Sequence, residues 1–513
     1  MRYIYLVTVV VTSVLTIWRT IIYSQMNGYS YILKSGIGRE LLVSIGISAL
    51  VELISLALIW GLDDRIYYLI TMPLLIVTGL ILASRRYKVK PNYTNRLKRL
   101  IAVFLAINIL LLGILLLITH YLISNIDFLL CVNTYYIVNH MILIVSIVIT
   151  SPIESRRNRR YVNKCVKALH SYKNIKVIGI TGSFGKTSLK CILGTILAKK
   201  YNVAITPESY NTPIGIAKSI EMLDGDEDYF VVEMGARHVG DISALCELVR
   251  PNYGIITGVT EQHLSTFKSV DNIVKTKYEL YQCIINNGLC VFNGDNNYTV
   301  DMYNYTSSTN KILTHNNEYN VADIVMDESG TTFDLCIHGD SLRCHTCLYG
   351  KHNIDNILMA STLAYNLGMT IDEIASGIGD IRAIPHRFEV TSVGDMVVID
   401  DSYNANIRGI EAGLDALKCF DGRKIVATQG IVEGGRDEKS LNINVGSLIA
   451  NVADIAILIG RERRYIESGL EGTDFNMNNV FSVRTLDEAE RIFSALLRRG
   501  DVLYITNDLP DNY

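Results

Sequence analysis

Charge is scarce along this chain. Asp, Glu, Lys and Arg make up 19% of its 513 residues, against 49% hydrophobic residues, a balance too apolar for an ordinary soluble enzyme. The formal net charge is −3, and no basic field that would draw in nucleic acid follows from it. Cysteine supplies no framework: ten are scattered at irregular spacing, and Cys246 and Cys290 sit beside apolar residues, as reduced core thiols of a reducing compartment do. Cys344 and Cys347 form a CxxC without a second pair. Because Cys344, Thr346 and Leu348 alternate with His345, Cys347 and Tyr349, a plain strand is the reading, ahead of zinc or redox chemistry.

The apolar excess falls almost wholly in the first 150 residues. Five runs there are long enough to cross a bilayer, over 3–23, 41–60, 66–83, 100–119 and 128–150. The first could be a signal peptide, but Arg19 interrupts its end and no small-residue cleavage site follows, so it counts as a span. Residues 84–99 carry Arg85, Arg86, Lys88, Lys90, Arg96, Lys98 and Arg99 with no acid, and Arg156, Arg157, Arg159, Arg160 and Lys164 follow the last run. Residues 120–127 hold no Lys or Arg. Positive loops stay inside, so a multi-pass protein of the cell membrane is expected, with everything after residue 150 cytoplasmic. Glu52 and His140 fall within spans, where ionisable groups are functional candidates by default. Packing between spans, beside Asn133, Tyr135, Tyr136 and Asn139, explains them equally well, and neither is assigned a role.

Residues 176–181, KVIGIT, read as a strand that runs straight into GSFGKTS and then a helical pattern through Leu189, Ile192, Leu193 and Leu197. Such a loop turns backbone N–H groups and a helix N-terminus toward phosphate oxygens; Thr181, Gly182, Ser183, Gly185, Lys186, Thr187 and Ser188 are its candidate residues. Lys186 brings a mobile charge and the Thr187 hydroxyl suits Mg²⁺, so a nucleoside triphosphate is the expected ligand. The usual loop has a further glycine where this chain has Ile180, and a glycine turn that merely caps a helix is the plainer alternative. Residues 229–234, YFVVEM, read as a second strand ending at Glu233, and 253–259 as a third, followed by His263. A hydroxyl, a carboxylate and an imidazole at successive strand ends suit two Mg²⁺ ions on a polyphosphate.

At this point the blocks TGSFGKTS, TPESYNTPIG, VVEMGARHVGDI, GVTEQHLSTF, KTKYEL, GKHNIDNILMA, PHRFEV and IDDSYNAN, in that order, resemble the Mur ligase family. GARHVGD with DDSYNAN looks most like its branch that adds D-alanyl-D-alanine to the muramoyl tripeptide. The resemblance implies an ATP-dependent carboxylate–amine ligase of peptidoglycan synthesis that works through an acyl phosphate. It implies that Lys186 stabilises the transferring phosphoryl group, that Thr187 holds a first Mg²⁺, and that Glu233 and His263 hold a second. Lys277 would be a lysine carbamylated by CO₂, although Lys275 and Lys277 by themselves read as a solvated helix face. Asn211 would stand close to the γ-phosphate and acyl group, Asn356 near adenine, Arg387 at the phosphates on domain closure, and Asp401 on the ribose. Asp400 and Asp401 also suit a plain strand-end turn. Ser402, Tyr403, Asn404 and Asn406 are weaker candidates for the amine side. Implied partners are a small amine, a peptide or lipid-linked acceptor, the lipid bilayer and other cell-wall enzymes.

Two features depart from the family. Membrane spans stand where soluble members carry a domain for the uridine nucleotide, which points to a lipid-linked or membrane-presented acceptor. The chain end, GDVLYITNDLPDNY, has no KGS-type segment, which leaves the amine open. The expected organisation is an α-helical transmembrane domain over 1–150, a basic linker helix over 151–173, a P-loop central domain with a mainly parallel sheet over 174–384, and a smaller Rossmann-like α/β domain over 385–513. The rivals are a ligase of the same family acting on an amino-acid polymer or polyglutamate, and a non-catalytic ATP-binding membrane scaffold.

Overall fold

A computed structural model of the chain describes residues 2–26, 46–59 apart from 48 and 52, 61–84, 92–121, 125–260, 264–284, 288–306, 308–402, 407–431 and 437–506. The chain divides into two compact units that meet between Arg160 and Tyr161.

The first unit is helical, with helices Arg2–Met26, Asp64–Ser84 and Asn95–Tyr121 and the part up to Arg160 of the 47-residue helix Asn125–Ser171. Among the described residues two stretches, Ile4–Ile22 and Asn95–Ile118, are long and apolar enough to cross a membrane; Ala49–Leu58 and Arg65–Ile81 are shorter apolar helices. The run 128–150 and the basic segment after it belong to one continuous helix. Most exposed large apolar side chains lie in this unit, for example Leu69 at 74% and Ile109 at 71%, a surface that water does not favour. Its interior is tied by polar groups. The Tyr5 hydroxyl donates to Asn133 Oδ1 at 2.7 Å, Asn133 Nδ2 donates to the Tyr67 hydroxyl at 2.8 Å, and the Tyr135 hydroxyl donates to Asn108 Oδ1 at 2.8 Å. Asn133 and Tyr135 are therefore packing residues between helices. Glu52 and the side chain of His140 lie outside the described residues.

The second unit holds three sheets. In the first, β1 (Lys176–Thr181), β2 (Val203–Ile205), β3 (Tyr229–Glu233), β4 (Tyr253–Ile256), β5 (Leu289–Phe292) and β6 (Lys311–Leu313) run parallel in the order β2-β3-β1-β4-β5-β6. Such strands are apolar throughout because helices cover both faces, and β3 is buried at all five positions. Helix Lys186–Leu197 presents Leu189, Ile192, Leu193 and Ile196 to the core on one side, while helix Val270–Ile284 sends Ile273, Leu280, Tyr281 and Ile284 to the core on the other. β7 (Tyr319–Asp327), β8 (Gly330–Ile337) and β9 (Asp340–Thr346) form an antiparallel sheet. β10 (Glu389–Val393), β11 (Met396–Asp401), β12 (Lys424–Thr428), β13 (Ile455–Ile459), β14 (Val480–Val483) and β15 (Val502–Thr506) form the last, ordered β10-β11-β15-β12-β13-β14 and parallel except for the β10–β11 pair.

Two expectations need adjustment. The strand expected to reach residue 259 ends at Ile256, because the next residues turn to the phosphate loop: Ser183 N–H donates to the Gly258 carbonyl at 2.8 Å and the Thr257 hydroxyl donates to the Phe184 carbonyl. Of the CxxC pair, Cys344 lies buried in β9, whereas Cys347 lies past its end and donates to the Ile381 carbonyl at 3.1 Å.

Candidate active site

β1, β3 and β4 lie side by side at the middle of the first sheet and run parallel, so their carboxyl ends share one edge, the place where parallel sheets bind ligands. The loop after β1 starts there. Gly182 has φ +154° and Gly185 φ +73°, values that side chains rarely tolerate. A Cβ on Gly182 would fall 1.9 Å from Thr257 Oγ1, and one on Gly185 would fall 2.8 Å from Asn356 Oδ1. Gly185 caps helix Lys186–Leu197 without a side-chain cap, and among the described residues no side chain bonds its first N–H groups, which leaves a helix N-terminus to receive an anion. Thr181 fastens the loop from below, its hydroxyl donating to the Met234 carbonyl at 3.2 Å, and Ser188 is buried in the first turn.

Lys186 Nζ donates to the Gly182 carbonyl at 2.9 Å, inside the loop it would share with a phosphate. Burial holds its pKa below the usual lysine value; the charge of Arg387 pushes the same way and that of Glu233 opposes. At the end of β3, buried Glu233 collects three groups from two segments, helix Lys186–Leu197 and the stretch after β2. The Thr187 hydroxyl donates to Oε2 at 2.9 Å, Asn211 Nδ2 donates to Oε1 at 2.9 Å, and Lys190 Nζ lies 3.5 Å from Oε2. Asn211 is set by its own chain, since its carbonyl accepts from Gly235 N–H at 3.0 Å.

Lys277, on helix Val270–Ile284, is 3% exposed, with its pKa pushed down to about 7 by burial and, next, by the charge of Lys186. It is a buried amine in the field of another lysine, which a reading of solvated helix face did not anticipate. His263 lies outside the described residues, as do Tyr403, Asn404 and Asn406.

Asn356 lies buried in the second turn of helix Lys351–Asn366, with its amide against Gly185 of the loop. Arg387 sits in a tight turn whose N–H donates to the Ile384 carbonyl at 3.0 Å, between His386 at φ 62° and Phe388 at φ 54°. Asp401 holds that turn. Its Oδ1 accepts from Phe388 N–H at 3.1 Å and its Oδ2 from the Tyr504 hydroxyl at 3.2 Å; the residue is 2% exposed, and burial raises its pKa to about 7. A ribose contact was expected of Asp401; in this arrangement both oxygens are engaged inside the domain. Asp400 is the more open of the two and accepts from Ser402 N–H at 3.0 Å.

Lys190 escaped the sequence reading, although one signal was there: it falls on the buried face of a helix, four residues after Lys186. Lys190 stands beside Glu233, Lys186 lies in the field of Glu233 and Arg387, and Lys277 lies in the field of Lys186. Such an excess of cations, with a helix N-terminus at the same sheet edge, suits a polyanion. Thr187 Oγ1 and Glu233 Oε2 are adjacent hard oxygen donors, the type Mg²⁺ prefers.

Comparison with known proteins agrees with the fold of the second unit. The Mur ligase middle domain matches residues 180–364 and the Mur ligase, glutamate ligase domain matches 386–507, together more than half of the chain. The UDP-N-acetylmuramoyl-tripeptide–D-alanyl-D-alanine ligase of Escherichia coli is 30% identical over 302 residues, 57% of this chain and 66% of the relative, so the chain spans just under two thirds of that enzyme. Crystal structure I of MurF from Acinetobacter baumannii superposes with a TM-score of 0.61 over 68% of this chain and 77% of that one, at 23% identity. MurF ligase from Thermotoga maritima, solved in complex with ADP, gives 0.58 over 68% and 80%, at 22% identity. Both structural likenesses speak for the fold. With its central sheet, phosphate loop and C-terminal α/β domain matched in the family's order, the chain belongs to the Mur ligase family.

Proposed function

We propose that the protein is an ATP-dependent ligase that joins a carboxylate to an amine through an acyl phosphate, adding an amino acid or D-Ala-D-Ala to a peptidoglycan-precursor-like acceptor. The observation that carries this reading is the convergence of Thr187, Asn211 and Glu233 beside Lys186 at the N-terminus of helix Lys186–Leu197. A nucleotide switch or scaffold needs the phosphate loop, but not a buried carboxylate cross-linked to two other segments. The D-alanyl-D-alanine ligase from E. coli and the ADP complex of the T. maritima enzyme support the substrate class and the nucleotide.

In this reading the loop N–H groups and Lys186 hold the β- and γ-phosphates in line with the acceptor carboxylate. Thr187 and Glu233 would hold Mg²⁺, which neutralises charge on the phosphates. A carboxylate oxygen attacks the γ-phosphorus and ADP leaves; the amine then attacks the acyl carbon, loses a proton and expels inorganic phosphate. Asn211 offers an uncharged amide beside the transferring group. Lys277 fits a carbamate. An amine whose pKa is pushed down to about 7 has a substantial neutral fraction near neutral pH, as reaction with CO₂ requires, and the product would exchange a buried cation for an anion in the field of Lys186. His263 remains part of the proposal as a second metal ligand.

The first 150 residues complete the proposal as a membrane domain with its basic segments on the cytoplasmic side, where ATP is present. Support comes from its apolar helices and from the exposed aliphatic surface they carry. The acceptor is then lipid-linked and reaches the ligase from the bilayer. To test this, detergent-purified protein is given Mg-ATP, bicarbonate, an amine pool and muramoyl peptide as either a UDP-linked or a lipid-linked acceptor. Preferential turnover of the lipid form is expected; equal use of the soluble form would sink the lipid-acceptor reading while leaving the ligase intact.

A further inference from the structure

Lys190 has no part in the reaction as proposed. It lies one turn beyond Lys186 on the same helix, and its side chain is 1% exposed. A lysine enters a core only where its charge finds partners. Its Nζ stands 3.5 Å from Glu233 Oε2 and donates to the main-chain carbonyl of Glu208. Glu208 has φ 40°, a left-handed conformation that a non-glycine residue keeps only when its surroundings hold it.

The segment that follows β2 thus meets Glu233 three times. The Thr206 hydroxyl accepts from Glu233 N–H at 3.2 Å, Lys190 joins the Glu208 carbonyl to Glu233 Oε2, and Asn211 donates to Oε1 at 2.9 Å. Of these three ties only the middle one brings a positive charge to the carboxylate. Without it a buried carboxylate would keep two neutral donors, the Thr187 hydroxyl and the Asn211 amide, and a cation nearby would be Lys186, the residue needed by the phosphates.

We infer that Lys190 is a positioning residue: from beneath the phosphate loop it ties Glu233 to the segment carrying Asn211. It thereby sets the spacing of Glu233, Thr187 and Asn211 and leaves Lys186 to the nucleotide. The inference rests on the ligase reading above and concerns the assembly of the Mg²⁺ and phosphoryl site.

The experiment uses the full chain in detergent as wild type, Lys190→Met, Lys190→Arg, Glu233→Gln and the Lys190→Met/Glu233→Gln double variant. One readout needs no turnover: the Mg²⁺ concentration for half-maximal binding of a fluorescent ATP analogue. The other is kcat and KM for ATP with acceptor present. Lys190→Met is expected to raise the Mg²⁺ midpoint at least fivefold and lower kcat at least tenfold, with KM for ATP within threefold, and Lys190→Arg to recover part of both. Because Lys190 acts through Glu233, the two single effects on the midpoint should not add in the double variant. A Lys190→Met protein that titrates Mg²⁺ as the wild type does, or midpoint effects that add, overturns the inference. Should Lys190→Met fail to fold, Lys190→Arg with Glu233→Gln and their double variant carry the same cycle. A wild type that neither binds nor turns over ATP has a different signature and removes the ligase reading itself.

Discussion

Lys277 and Asp401 are both buried ionisable groups, and burial moves their pKa values toward each other, to about 7 in each case. For Lys277 the shift is downward, so the neutral amine gains as pH rises through 7, and the carbamate proposed there would be lost as pH falls below it. Turnover in CO₂-stripped buffer should drop several-fold and return on adding bicarbonate; Lys277→Arg should be inactive and indifferent to bicarbonate. For Asp401 the shift is upward. Between the ordinary carboxylate pKa and 7 the folded state holds a proton that the unfolded chain has released, so this group's contribution to stability falls as pH rises through that window. Asp401→Asn keeps an acceptor for Phe388 N–H without the charge. Its melting temperature should exceed that of wild type at pH 7.5, by an amount corresponding to about 1–3 kcal/mol, and the gap should close toward pH 4. A gap independent of pH would show that Asp401 is not the group that titrates.

The strand–loop–helix element from Lys176 to Leu197 can be disrupted by a single substitution. Gly182→Ala would place a methyl group on Thr257 Oγ1, and the loop would have to leave the contacts it makes with Thr257 and Gly258. ATP affinity should fall more than tenfold with a loss of about 1–3 kcal/mol in stability, readable by nucleotide titration and thermal melting. This element was legible in the sequence because its signals are local: an apolar run, two glycines at fixed spacing, and a 3.6-residue apolar period. Glu233 was legible as the end of a second apolar run. What stayed hidden depends on distant neighbours. The partners of Lys190, Glu208 and Glu233, come from other segments, and the third strand stops short because Thr257 and Gly258 serve the loop after β1. The left-handed turn that carries Arg387 is held by Asp401, fourteen residues on in the chain, a pairing that periodicity cannot reveal.

The long-range proposal is a ligase that draws its acceptor from a bilayer. Single-cysteine labelling in cells tests its topology: positions within 120–127 should react with an impermeant reagent added outside, and positions within 85–99 and 156–164 should not. Reaction at the basic segments would reverse the orientation and put the ligase on the side without ATP. The chemistry itself is read most directly from an isotope. With ¹⁸O in the acceptor carboxylate, attack on the γ-phosphate followed by amine attack on the acyl phosphate carries one labelled oxygen into inorganic phosphate for each amide formed. The account predicts acceptor-dependent phosphate bearing that label from wild type and none from Lys186→Ala; unlabelled phosphate, or phosphate released without acceptor, would contradict it.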